Sequence, residues 1–163
     1  MRATGFIPEK IMTQDEVSIA VRRWKFLGKK IAFTNGCFDI IHAGHIHSLM
    51  QAASFADVLI VGVNSDASTK RLKGENRPIN KEEDRTLILA SLAVTDAVVL
   101  FDEDTPLNLI MSILPDVLVK GGDYSIDTIV GAKEVIANGG AVEIIPIVPG
   151  LSTTNLANRI SRL

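Results

Sequence analysis

The chain has 163 residues, 47% of them hydrophobic and 22% charged, with a net charge of −2 and a pI near 5.9. That describes one soluble, compact domain with a sizeable core, and it excludes the broad basic surface that attracts nucleic acid. No apolar run approaches the roughly 20 residues that span a bilayer, MRATGFIPEK lacks the apolar stretch of a signal peptide, and the single cysteine, Cys37, excludes an internal disulfide framework. The expectation is a cytoplasmic protein that binds neither membrane nor nucleic acid.

TQDE at 13–16 has the pattern of a capping box and predicts a leading helix over 14–27, ended by Gly28. KKIAFT (29–34) reads as a strand running into the loop NGCFD. AGHIHSLMQAASFAD (43–57) has helical spacing, and VLIVGVN (58–64) is an apolar run of the kind buried on both faces of a parallel sheet. SDASTKRLKGENRPIN (65–80) is polar, carries Gly74 and Pro78, and reads as a mobile loop. KEEDRTLILASLA (81–93) is predicted helical and DAVVLF (96–101) a strand. TPLNLIMSIL starts a helix with Pro106 in its first turn, stopped by Pro115. DVLVKG (116–121) is a strand, DTIVGAKEVIANGG (127–140) a helix closed by Gly139 and Gly140, AVEIIPIV (141–148) a last strand and STTNLANRISRL (152–163) a last helix. This alternation predicts a single α/β sandwich domain with a five-stranded parallel sheet: an N-terminal extension and leading helix over 1–28, then a core over 29–163.

Ligands of open parallel sheets bind beyond the carboxyl ends of the strands. The polar segments NGCFDIIHAGH, NSD (64–66), KGGDY (120–124) and PGLSTTN (149–155) all follow predicted strands. The first holds every histidine of the chain, His42, His45 and His47. His42 falls just before a helix and His45 in its first turn, with Gly44 between them allowing close backbone approach. A helix N-terminus carries unpaired N–H groups and partial positive charge, which suits a phosphate. Imidazoles there can donate to phosphate oxygens as charge develops. The competing metal reading could use His42 and His45 with Asp39 or Cys37, but the chain has neither HExxH nor a second ligand cluster. His47, two residues on, points away from His45 and is set aside as a surface residue.

These residues resemble the nucleotidyltransferases whose signature is HxGH. Taken in order, GCFDIIHAGH, VNSDASTKRLKGENRP, EDR, DVLVKGGDY and STTN are similar to the adenylyltransferase domain of bacterial ADP-heptose synthases, over about residues 13–162. The sugar-kinase domain fused to it in some bacteria has no counterpart here, so a separate heptose kinase is expected. Cytidylyltransferases of the family carry RTEGIST and an MGDDW-like stretch where this chain has IVPGLST and KGGDY, and both departures favour the sugar enzyme. The resemblance implies a Rossmann-like three-layer sandwich, a homodimer or larger homo-oligomer, and transfer of AMP from ATP to D-glycero-β-D-manno-heptose 1-phosphate. The alternative is a cytidylyltransferase acting on a polyol phosphate such as glycerol 3-phosphate.

A phosphate nucleophile is already ionised near neutral pH, so the site needs positioning and charge neutralisation rather than a general base. His42, His45 and Lys120 are the expected catalytic residues; Lys120 ends an apolar strand, an odd place for a cation unless it faces the crevice. Gly36, Cys37, Phe38, Asp39, Gly44 and Gly121 are expected along the nucleotide, Cys37 as a small buried thiol rather than a nucleophile. The resemblance implies that the cationic loop closes over the triphosphate, so that Lys73 or Lys70, both expected on the nucleotide, reaches the leaving group. Arg85 opposes the dipole at a helix start and is expected on phosphate. Capping explains one of Ser152, Thr153 and Thr154, and a donor nest for the β- and γ-phosphates is expected of the group. Asn64, Asp66 and Asp123 are weaker candidates for the sugar. Mg²⁺ is expected with ATP, held chiefly by phosphate oxygens and water, with no protein metal site.

Overall fold

The computed structural model describes residues 5–146. The chain enters through a short helix α1 (Phe6–Glu9), a two-residue strand β1 (Ile11–Met12) and the longer helix α2 (Gln14–Phe26). Then follow β2 (Ile31–Gly36), α3 (Ala43–Ala53), β3 (Val58–Asn64), α4 (Asp66–Lys73), α5 (Glu82–Ala90), β4 (Ala97–Phe101), α6 (Leu107–Ile113), β5 (Val117–Gly121), α7 (Ala132–Ala137) and β6 (Ala141–Ile145). The strands form one parallel sheet of six, in the order β1-β4-β3-β2-β5-β6.

Alternation along each strand divides the apolar residues between two faces. Ile31, Phe33, Ile60 and Val99 pack under α2, α6 and α7 with Val17, Val21, Ile110 and Val135. Ala32, Leu59, Val61 and Val98 pack under α3 and α5 with Leu49, Ala52, Leu89 and Ala90. The result is a three-layer Rossmann-like sandwich.

Three predicted elements need correction. The sheet has six strands, not five, because β1 adds to its edge in register with β4, Ile11 opposite Val98 and Met12 opposite Val99. Two residues carry no periodicity to read; tertiary bonds hold them, with Lys10 Nζ donating to Leu92 O at 3.3 Å and Thr95 O at 2.6 Å. The helix at 14–26 is therefore not the first element, although its capping box forms as predicted: Thr13 N donates to Glu16 Oε2 at 2.8 Å and Glu16 N to Thr13 Oγ1 at 3.2 Å. Second, half of the loop predicted over 65–80 is helix α4. Its polar side chains are satisfied by neighbours: Ser65 Oγ caps Ser68 N at 2.9 Å, Asn64 Nδ2 donates to Ser68 Oγ at 3.0 Å, and Arg71 Nε donates to Asp104 Oδ1 at 2.7 Å. Third, the helix predicted over 127–140 is only α7, preceded by a single 3₁₀ turn at Ile126–Thr128. Gly131 breaks it with φ +85, and a Cβ there would meet Ile110 Cδ1 at 2.7 Å. The last predicted helix lies outside the described residues.

Three aspartates lock neighbouring strands at their amino ends. Asp57 Oδ2 accepts from Lys30 N at 2.9 Å, Asp96 Oδ2 from Leu59 N at 2.8 Å and Asp116 Oδ2 from Ile31 N at 2.8 Å. The recurring DVLI, DAVV and DVLV segments carry this device in the sequence. It leaves the opposite, carboxyl edge of the sheet free for ligand.

Candidate active site

From β2 the chain winds outward through β3 and β4 on one side, and β5 and β6 lie on the other, so the topological switch point falls between β2 and β5. A cleft of about 660 Å³ opens beyond their carboxyl ends. Across it, Lys120 Nζ donates to Asn35 Oδ1 at 3.1 Å, joining the two central strands. Burial pushes the Lys120 ammonium below its ordinary value, and among the described residues it forms no ion pair with a carboxylate, so an anion entering the cleft would favour its charged form.

The histidines sit where α3 begins. His42 is its N-cap, and His42 Nδ1 accepts from Gly44 N at 3.1 Å. His45 Nδ1 accepts from His42 N at 3.4 Å, and the two rings stand 3.9 Å apart. With both Nδ1 atoms accepting, the neutral rings carry their protons on Nε2 and present two N–H donors. Burial lowers the pKa of His42, and burial, then the neighbouring His42 and Lys73, lowers that of His45 to about 4. Both are therefore neutral donors at pH 7. His47 is exposed on the far side of the helix.

The loop between β2 and α3 is held by its polar groups. Asp39 is 3% exposed and accepts from Ile79 N at 2.7 Å, Asn80 N at 3.0 Å and Arg77 Nη1 at 2.7 Å. Burial opposes its ionisation, but the bonds from Asn80, Arg77 and Ile79 outweigh that and hold the carboxyl below its usual range. Phe38 lies in the left-handed region at φ +47, and its ring packs 5.5 Å from that of His45. Such a conformation in a bulky residue persists only where its surroundings enforce it.

Of the residues singled out from sequence, Gly36, Cys37, Phe38, Asp39, His42, Gly44, His45, Asn64, Lys73, Lys120 and Gly121 line this one cleft. Four do not. Lys70 pairs with Glu75 on the surface. Arg85 is fully buried, and Asp66 is taken up as its partner at 2.8 Å. Asp123 is exposed and outside the lining. Ser152, Thr153 and Thr154 lie outside the described residues. Among the loop cations, Arg77 binds Asp39 and Arg71 binds Asp104, which leaves Lys73 on the cleft wall.

Sequence reading missed Asn35, Ser48, the Asp104–Pro106 turn and the wall from Tyr124 to Val130. Two signals were available. Ser48 is one turn beyond His45 on α3, and residues 102–106 follow β4 at the same sheet edge as the other clusters. Among the described residues, no three His, Cys, Asp or Glu side chains converge to hold a metal.

Residues 33–159 match the family model described as cytidylyltransferase-like. The chain belongs to that family, and it is a nucleotidyltransferase. It is 51% identical to the bifunctional protein HldE of Acidiphilium cryptum over 93% of its own length and 31% of that protein's. It is 52% identical to the bifunctional protein HldE of Escherichia coli O139:H28 over 98% of its length and 33% of the relative's. The chain thus spans about a third of the length of the curated relatives it matches. Among solved structures it resembles the lipopolysaccharide core biosynthesis protein of Thermoplasma volcanium, with 31% identity and a TM-score of 0.60 over 74% of this chain and 98% of that one. A likeness to the pantoate-beta-alanine ligase of Francisella tularensis, with 17% identity and a TM-score of 0.56 over 94% of this chain and 78% of the other, is one of fold.

Proposed function

We propose that this nucleotidyltransferase transfers AMP from ATP to D-glycero-β-D-manno-heptose 1-phosphate, giving ADP-heptose and pyrophosphate for surface glycan synthesis. The observation that carries the chemistry is the convergence on one cleft of two Nε2–H imidazoles, Lys73 and Lys120, with no nucleophile–base pair among the lining residues. The choice of sugar and nucleotide rests on the identity to the HldE proteins and on the IVPGLST and KGGDY departures.

In this reading the sugar phosphate oxygen attacks the α-phosphorus, that bond forms as the bond to the leaving pyrophosphate breaks, and no proton need move. His42 and His45 donate from Nε2 to the transferring phosphate as its charge develops. Because the rings are already neutral and aimed, the donation needs no reorganisation. Lys120 neutralises the transferring group from β5, and Lys73 the departing pyrophosphate. Asp39 orients the loop rather than binding ion, since its oxygens are occupied by Ile79, Asn80 and Arg77. Asp104 takes Arg71. An Mg²⁺ entering with ATP would therefore be held by phosphate oxygens and water, where it would shield the triphosphate charge. Ser152, Thr153 and Thr154 remain our candidates for the β- and γ-phosphates. A kinase reaction must supply the sugar 1-phosphate, and a cytoplasmic homo-oligomer is part of the same proposal.

The test mixes the purified protein with Mg²⁺, the heptose 1-phosphate and either ATP or CTP, and follows pyrophosphate. Release with ATP is expected. Release with CTP alone, above all with glycerol 3-phosphate as acceptor, would move the function to a cytidylyltransferase.

A further inference from the structure

Arg85 is the largest fully buried side chain of the described residues, yet it does not reach the cleft. Its guanidinium donates through Nη1 to Cys37 O at 2.5 Å and Asn64 O at 2.8 Å, through Nε to Asn80 O at 3.1 Å, and through Nη2 to Asp66 Oδ1 at 2.8 Å. One cation thus joins the ends of β2 and β3 to the start of α4 and the turn before α5. Taking a charge out of water is costly, and a hydrophobic side chain of the same volume would often stabilise a fold better. What the guanidinium adds is geometry.

The geometry leads to the imidazoles. Arg85 fixes Cys37 O, and Asn80, itself held by Arg85, donates from Nδ2 to Asp39 O at 2.7 Å. Phe38 is gripped on both sides, in its left-handed conformation, and its ring is the wall against which His45 packs. We propose that Arg85 is a positioning residue that sets the 36–42 loop and, through Phe38, the placement of His45. Its effect on turnover rests on the adenylyltransferase reading; its effect on the imidazole does not.

The decisive measurement is an NMR titration of protein labelled with ¹⁵N-histidine, wild type against Arg85→Lys. A lysine cannot reach four acceptors, so the loop loosens and water reaches His45. Its midpoint should climb from about 4 toward 6.5, by about one unit or more. An unmoved His45 in the folded variant overturns the proposal. Should Arg85→Lys not fold, Asn80→Ala cuts only the Asp39 arm and should move His45 the same way by less; no movement is again fatal. In turnover, kcat should fall about 10²-fold, as for an ångström of misplacement, with the ATP Kd within about threefold. A weakened Kd with kcat intact would make Arg85 a phosphate contact instead, and a lowered melting temperature with both intact would make it scaffold; either result overturns the proposal. A wild type silent with every nucleotide faults the functional reading, and the titration then decides the Arg85 role alone.

Discussion

On the β2 side of the cleft, the loop from Cys37 to His42 is held at Cys37 O, Asp39 O and both Asp39 carboxylate oxygens, and two imidazoles bond to the backbone around them. On the β5 side, the segment from Gly122 to Val130 has one side-chain hydrogen bond among the described residues, Thr128 Oγ1 to Ser125 O at 2.8 Å, and leaves Tyr124, Ile126 and Val130 39–48% exposed. Both walls line the same cleft. The first holds donors already aimed, which suits charge developing on a phosphate, where any reorganisation would add to the barrier. The second presents apolar surface that an acceptor can cover on binding. Under the proposed function, this difference in hydrogen bonding assigns the chemistry to the first loop and the fit of the acceptor to the second.

The sharpest test removes a donor from the stiff side. His45→Ala should lower kcat about 10²–10³-fold, or about 2.7–4 kcal/mol of transition-state stabilisation, with the fold intact by circular dichroism. Near-normal turnover would break the division. Lys120→Ala faces both walls and should cost about 10²-fold; its rate, compared with that of His45→Ala, shows how far the imidazoles act without it.

On the looser side, Gly122→Ala should cost about 1–3 kcal/mol in denaturant unfolding. Gly122 has φ +136, and an added Cβ would meet Tyr124 Cε2 at 2.7 Å. A neutral result would mean that this wall is more adaptable still.

Acid stability separates the two sides again. Burial disfavours the charged His45, so the unfolded chain binds that proton more readily than the folded one. The associated stability is complete above pH 6.5 and drains as pH falls toward about 4. Between pH 7 and pH 5 the wild type should lose about 1 kcal/mol more than His45→Asn, once solvent screening is allowed for. Parallel curves would mean that the imidazole is better solvated than its position indicates. Far from both walls, Thr13→Ala should cost about 1 kcal/mol of stability without touching kcat.

Much of the site was legible because chemistry left residues where packing alone would not put them. Lys120 at the end of an apolar strand and two histidines around a glycine at a helix start are local anomalies, and eleven of the named positions share the cleft. Arg85 stands out in the sequence as a cation at a helix start, which suggests a phosphate contact, but one dimension of sequence cannot say whether such a cation faces a ligand or, as here, four acceptors inside the fold. The wall at 124–130 left no signal, since exposed apolar residues at a turn look the same whether or not a cleft lies beside them.

By itself the sequence determined the five long strands, the helices of strong period and the sheet edge on which the polar segments gather, because hydrophobic periodicity and caps are set by residues a few positions apart. Only the tertiary structure decided the rest. β1 exists because β4 offers an open edge, α4 because Asp102, Asp104 and Glu103 stand ready to satisfy its polar side chains, and the imidazole tautomers because two backbone N–H groups point at Nδ1. Each depends on partners that folding alone brings within hydrogen-bonding distance.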